Sequence, residues 1–354
     1  MGRLGKIQRG AVALAPLLLA MLVSCGKTLQ EGRQCEETPL AFTATAPLTK
    51  STYISSGTLG ELPLYLSADY HEADGSVSSF LSNGSFARGG DGFYHSSPDE
   101  VYWPMGSGTM DFLSYAGTDG PLSDEGNPCV EWDSPRATSG ATFTFTDTKS
   151  ADVDLVWAVA NNRRRSGGAV ALDFSHALAR LELQVEISPP LGDYISLQSV
   201  TLETSLSDRL CLGGVFTVDN SKNTPEASWS ELTTTSDYGF FTGQDITFTP
   251  EGETSLVGQL DGTPRVAKID AVVPLVNMYV PPQPVKNIEI IYSLNGGTPR
   301  LQTVNLPRGS WEMGHTYTYR LTYTLMGLKG GYAGFDLLMF DHSRKYGYSG
   351  SDVR

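Results

Sequence analysis

The chain has 354 residues, 40% of them hydrophobic and 18% charged, with a formal net charge of −14 at pH 7. That apolar content is enough to bury real cores and excludes a disordered chain, and the length leaves room for two domains. The acidic balance argues against nucleic acid as a partner, and against holding to anionic lipid by charge.

Residues 1–24 read as a targeting segment: a basic start (Arg3, Lys6, Arg9), then the apolar run AVALAPLLLAML, which is too short to span a bilayer comfortably. The run meets Leu22-Val23-Ser24-Cys25-Gly26. This resembles a bacterial lipobox, which implies cleavage before Cys25, acylation of that cysteine and a lipid anchor in the outer membrane; several acyl chains hold far better than one. Cys35, Cys129 and Cys211 then remain, an odd number that allows at most one pair. No Cys-x-x-Cys or Cys/His spacing is present, so no metal is expected.

After a tether over residues 25–38, Pro39 to Ala46 alternates, with Leu40, Phe42, Ala44 and Ala46 on one face of a first strand. Pro47 ends it, and Leu48 to Thr52 forms an exposed loop with Lys50 at its tip. Strands are predicted at 62–66, 111–115 and 141–146, with an aromatic strand end at Val101-Tyr102-Trp103-Pro104. Asn83-Gly84, Gly89-Gly90 and Asp91-Gly92 suggest a loop-rich patch around Phe86, and 117–140 reads as a long polar connection carrying Cys129 and Trp132. The nearly continuous apolar run 153–159 predicts a strand covered on both faces. Asn161 to Gly168, with Arg163-Arg164-Arg165, cannot be core and reads as an exposed linker.

The longest pattern follows. From Ala177 to Ile187 apolar and polar residues alternate strictly, whereas upstream Val170, Leu172 and Phe174 hold the opposite parity. A strand cannot change faces without an extra residue, so Ser175-His176-Ala177 predicts a bulge, or a bend where the chain passes between sheets. Further strands are expected at 195–202, 215–218, 246–248, 266–273 and 276–280. A hairpin is expected around Asn295-Gly296-Gly297, and a last strand carries Tyr317, Tyr319, Leu321, Tyr323 and Leu325 on one face. No stretch offers a long amphipathic helix. The reading is all-β: two β-sandwich domains in tandem, 39–162 and 169–326, joined by a linker at 163–168 and followed by a tail at 327–354.

Several of these pieces together resemble the fimbrillin family, the Mfa-like lipoprotein pilins of Gram-negative anaerobes. They are the lipobox at Cys25, Phe42-x-Ala44 followed by Thr49-Lys50-Ser51, Tyr102-Trp103-Pro104 with Phe112 and Tyr115, and Asp154-Leu155-Val156-Trp157-Ala158. Leu172-x-Phe174-x-His176-Ala177-Leu178 and Trp311-x-x-Gly314-x-x-Tyr317-x-Tyr319 complete the set. The resemblance implies transthyretin-like sandwiches after a lipoprotein signal peptide, display in the outer membrane, and assembly into a fimbrium as a type V pilin-like subunit. Many relatives carry Thr-Arg-Ala where this chain has Thr49-Lys50-Ser51, and the tail beyond Leu325 is unlike the family's usual ending.

The resemblance also implies a mechanism. If the first strand is cut away, an apolar groove with an open ladder on each side can accept a strand from the next subunit, head to tail and without closing into a ring. Arg33 and Lys50 are the candidate cut sites. The candidate donor strand is Tyr332 to Phe340, carrying Tyr332, Phe335, Leu337 and Met339. The expected partners are other fimbrial subunits; the alternative function is a monomeric surface lipoprotein that stacks a glycan or host ligand on Trp and Tyr of loops 68–100 or 117–140. No catalytic residue, cofactor or metal is predicted: there is no Gly-x-Ser-x-Gly elbow, calcium loop or phosphate loop. The lone His176 reads as structural.

Overall fold

The computed structural model describes residues 38–46, 54–118, 130–188, 194–204, 210–234, 239–241, 246–257, 263–306, 309–324 and 334–341, all within one unit, Thr38–Arg354. Strand follows strand, as the period-two patterning predicts. The first group is β1 (Ala41–Thr45), β2 (Leu64–His71), β3 (Val77–Arg88), β4 (Tyr94–Ser96), β5 (Thr109–Ala116), β6 (Val130–Arg136), β7 (Gly140–Phe145) and β8 (Val156–Arg163). Next come β9 (Val170–Asp173), β10 (Ser175–His176), β11 (Ala179–Ser188), β12 (Ile195–Thr204), β13 (Cys211–Asp219), β14 (Glu226–Thr234) and β15 (Gly239–Phe241). The last are β16 (Ile246–Thr249), β17 (Arg265–Lys268), β18 (Val272–Val280), β19 (Val285–Leu294), β20 (Arg300–Asn305), β21 (Thr316–Thr324) and β22 (Gly334–Asp341). Two single-turn helices, α1 (Ser56–Leu59) and α2 (Thr148–Ala151), are the helices among the described residues.

Eight strands form one sheet in the order β10-β8-β5-β2-β3-β4-β1-β9. Its two ends, β9 and β10, are one stretch of chain separated only by Phe174. The sheet therefore curls until its ends meet, which leaves little open border. Inside lies an apolar core of Leu40, Phe42, Leu66, Phe86, Phe112 and Leu172, among others. Its rings meet edge to face: Phe42 with Phe112 at 5.2 Å between centroids, and Trp103 with Phe112 at 5.9 Å. The run at 153–159 is covered on both faces as expected, Val156 and Ala158 facing this core while Trp157 and Val159 pack on a second one.

That second core lies between the outer face of the curled sheet, through Tyr65, Leu113 and Tyr115, and the sheet β14-β13-β7-β6, through Phe143, Phe145 and Phe216. Strands from both sides of loop 163–168 meet here, because β7 pairs antiparallel with β13. Gly140 starts β7 at φ +110°, so close to β13 that a Cβ would lie 1.8 Å from the Val218 carbonyl oxygen. The third core is a sandwich of β18-β11-β21-β22 against β17-β16-β12-β19-β20. Here the alternation of residues 177–187 pays off directly: Ala179, Leu181, Leu183, Val185 and Ile187 are all fully buried, as are Tyr317, Tyr319, Leu321 and Tyr323 across the parallel β11–β21 ladder.

Between the parities, the chain does pass from one sheet to another. β9 and β10 complete the curled sheet, and after Ala177 and Leu178 the chain enters the sandwich as β11. Asn295 and Gly296, at φ +50° and +67°, make the predicted hairpin turn between β19 and β20.

Other local expectations change. Asn83-Gly84 is no turn but an irregularity inside the twelve-residue β3, with Asn83 at φ +51° absorbing the extra residue, and Phe86 is core. The connection at 117–140 contains β6, which pairs with β7. The stretch 266–273 is two strands, split where Asp270 takes φ +56°. β14 has no apolar alternation to betray it because it is an outer strand with mostly exposed side chains.

Candidate functional site

β1 is the element on which the functional argument turns, and its surroundings can be built residue by residue. It lies between β4 and β9. Phe42, Thr43, Ala44 and Thr45 pair in parallel with Val170, Ala171, Leu172 and Asp173, whereas only Ala41 and Phe42 pair with β4, opposite His95 and Tyr94. Backbone bonds extend the hold at both ends: Leu40 N–H to the Val101 carbonyl (2.8 Å), Trp103 N–H to the Thr38 carbonyl (2.9 Å) and Phe174 N–H to the Thr45 carbonyl (2.7 Å). Leu40 and Phe42 are buried to about 1% exposure or less, and Ala46 is buried too. Full burial of two such side chains is worth about 3–6 kcal/mol.

Polar side chains tie down β1 and the residues leading into it. The Thr45 hydroxyl donates to Asp173 (2.6 Å), and the Arg165 guanidinium donates to the Thr38 hydroxyl (3.1 and 3.0 Å). Arg165 belongs to the arginine run read as a solvated linker; Arg163 and Arg164 are exposed, but the third arginine turns back onto the start of β1. Nothing in the sequence pattern signals this, since residues 38 and 165 meet only through the closure of the sheet.

Beyond β1, Ile54 is buried and its N–H donates to Asp154 Oδ2 (3.0 Å), while Asp154 Oδ1 bonds His176 Nδ1 (2.9 Å). His176 sits at the passage between sheets, nearly fully buried, with the Asp154 carboxylate beside it. Ser55 caps α1 through a reciprocal bond with Thr58, and Leu59 at the helix end is core, its carbonyl taking a bond from the Tyr94 hydroxyl (2.7 Å).

The predicted site residues divide between described and undescribed parts of the chain. Cys25, Arg33, Lys50 and Tyr332 lie outside the described residues. Phe335, Leu337 and Met339 lie in β22, which pairs antiparallel with β21 of the same chain, opposite Tyr323, Leu321 and Tyr319. Of the aromatic residues considered for stacking a sugar, Tyr94 is core and Tyr70 partly so, while Trp132 falls in β6. Among the described residues no group of three His, Cys, Asp or Glu could hold a metal, and no helix is long and apolar enough to cross a membrane.

The fold thus defines a class: an all-β protein of curled and sandwiched sheets. Comparison with known proteins narrows it. The fimbrillin-like family model matches residues 65–331, and the chain belongs to that family. A fimbrial protein from Bacteroides vulgatus is similar in structure, with TM-score 0.50 and 16% identity over 85% of this chain and 98% of that one. Cell adhesion proteins from Bacteroides ovatus and Bacteroides uniformis, both described as putative, match with TM-score 0.46, at 13% and 14% identity. Each covers 86% of this chain, and 96% and 98% of its own length respectively. The comparison with curated proteins finds no match.

Proposed function

We propose that this chain is a subunit of a surface fimbrium, exported as a lipoprotein acylated on Cys25, that assembles by exchange of β1 for a strand of the neighbouring subunit. The observation that carries the reading is the position of β1. It is an inner strand whose apolar residues fill the first core, yet it joins the rest of the chain on one side only through residues 47–53. Severed there and withdrawn, it leaves β9 and β4 facing each other across a groove lined by Phe86, Phe112 and Leu172. An extended segment entering that groove regains the ladder through its backbone and the core through alternate side chains. Repetition is head to tail and gives a filament.

The strand-exchange reading favours one of the two candidate cuts. A cut after Arg33 leaves β1 attached through residues 47–53; a cut after Lys50 frees it. Lys50 is therefore the maturation site in this reading, and Arg33 at most a trimming site. β22 is the candidate donor, held in its own chain until it is handed on. N-terminal sequencing of subunits taken from assembled fibres tests the reading: a start at Ser51 supports it, and an intact start at Cys25 in every subunit along the shaft contradicts it.

A further inference from the structure

The strand slot has one weak wall. β4 is only three residues long, and β1 is one of the two strands that hold it. With β1 gone, so short a strand would be expected to fold inward over the exposed core and close the groove. β4 is also tied to α1. Tyr94 of β4, fully in the core, donates its hydroxyl to the carbonyl of Leu59 at the end of α1. The other end of the segment is fixed by the Ile54 N–H bond to Asp154, a carboxylate 6% exposed and itself held by His176. Gly117 lets these parts close up, since a Cβ there would lie 2.1 Å from the Asp154 carbonyl oxygen and 2.8 Å from Ile54 Cδ1. These hydrogen bonds join α1 to β4 and to Asp154 and do not run through β1, although α1 also lies against β1 and Tyr94 is the ladder partner of Phe42.

We propose that α1, pinned by Asp154 at one end and by Tyr94 at the other, is a fixed jamb that keeps the strand slot open when β1 is absent. Tyr94 and Asp154 are positioning residues for strand exchange: they act through α1 and β4 and make no side-chain hydrogen bond to β1. The inference rests on the strand-exchange reading above and names what keeps the empty acceptor receptive.

The test uses the full chain with a site-specific protease sequence placed within residues 47–53. After cutting, a fluorescent peptide of residues 38–46 is added in excess and its uptake is followed. Wild-type protein is expected to exchange its strand for the labelled one, and Y94F and D154A to take up label roughly tenfold more slowly or more weakly, about 1.4 kcal/mol. Hydrogen exchange on the emptied form is expected to find residues 56–59 and 94–96 protected in the wild type and unprotected in the variants. A merely structural role lowers the melting temperature of cut and uncut chains alike but leaves peptide uptake unchanged. Equal uptake by wild type and variants therefore overturns the jamb while leaving strand exchange standing. No uptake by the wild type overturns both. The two substitutions remove separate ties, so either one decides the matter if the other fails to fold.

Discussion

The ring of Phe42 meets the ring of Phe86 almost at a right angle, with centroids 5.1 Å apart. One belongs to the strand proposed to leave, the other to the wall that stays. Truncating Phe42 to alanine should destabilise the intact chain by about 3–5 kcal/mol, the range for a buried aromatic that leaves a cavity. Denaturant unfolding of the uncut protein measures this. A change within about 0.5 kcal/mol, typical of a surface site, would mean that β1 does not fill the core.

In the proposed strand exchange, release of β1 depends on where the chain is cut. Lys50→Gln is expected to block removal of β1 and the formation of fibres, whereas Arg33→Gln leaves both intact. Mass spectrometry of surface-released protein reads the outcome directly; loss of maturation in the Arg33 variant alone would assign the decisive cut to the wrong side of the strand.

The junction between β7 and β13 hangs on a residue without a side chain. Gly140→Ala places a Cβ against the Val218 carbonyl and forces an L-residue into φ +110°. Backbone strain alone should cost about 1–3 kcal/mol, and the clash adds to it. A fall in the thermal midpoint checks this, with weakened amide protection expected first in β7 and β13.

Stability should decline in alkali. Burial pushes the Tyr279 phenol well above its ordinary value of 10.0, with the Asp154 charge adding to the rise and Arg180 opposing it; burial also raises Tyr94. In the unfolded chain these phenols lose their protons near pH 10, earlier than in the folded one, so the contribution is intact below pH 10 and is lost as pH climbs towards the folded values. The urea midpoint should hold steady up to about pH 9.5 and then fall, and Tyr279→Phe should flatten that fall.

Much of the fold was legible because one face of each long strand is buried. The alternation across 177–187, the tyrosine series of β21 and the parity switch at His176 each translate into position, since a period of two leaves no other way to bury those residues. Legibility failed where that pressure is absent. β14 exposes most of its side chains, and β3 hides an irregularity under an Asn-Gly pair that elsewhere makes a turn. Of the candidate site, the apolar face of β1 was readable from Leu40 and Phe42. The ties from Arg165, Asp154 and Tyr94 were not, because each joins residues 35 to 127 positions apart whose meeting is fixed only by sheet closure.

The central claim, that β1 must leave for the subunit to assemble, meets its most direct test in a reversible lock. Thr43 and Ala171 are register partners in the β1–β9 ladder, on its outer side, and neighbouring strands lie about 4.8 Å apart, within reach of a disulfide. The double variant T43C/A171C, oxidised, is predicted to fold, to be cut normally and to form no fibres, with assembly returning on reduction. Fibres that grow equally well with the bond closed would contradict the account.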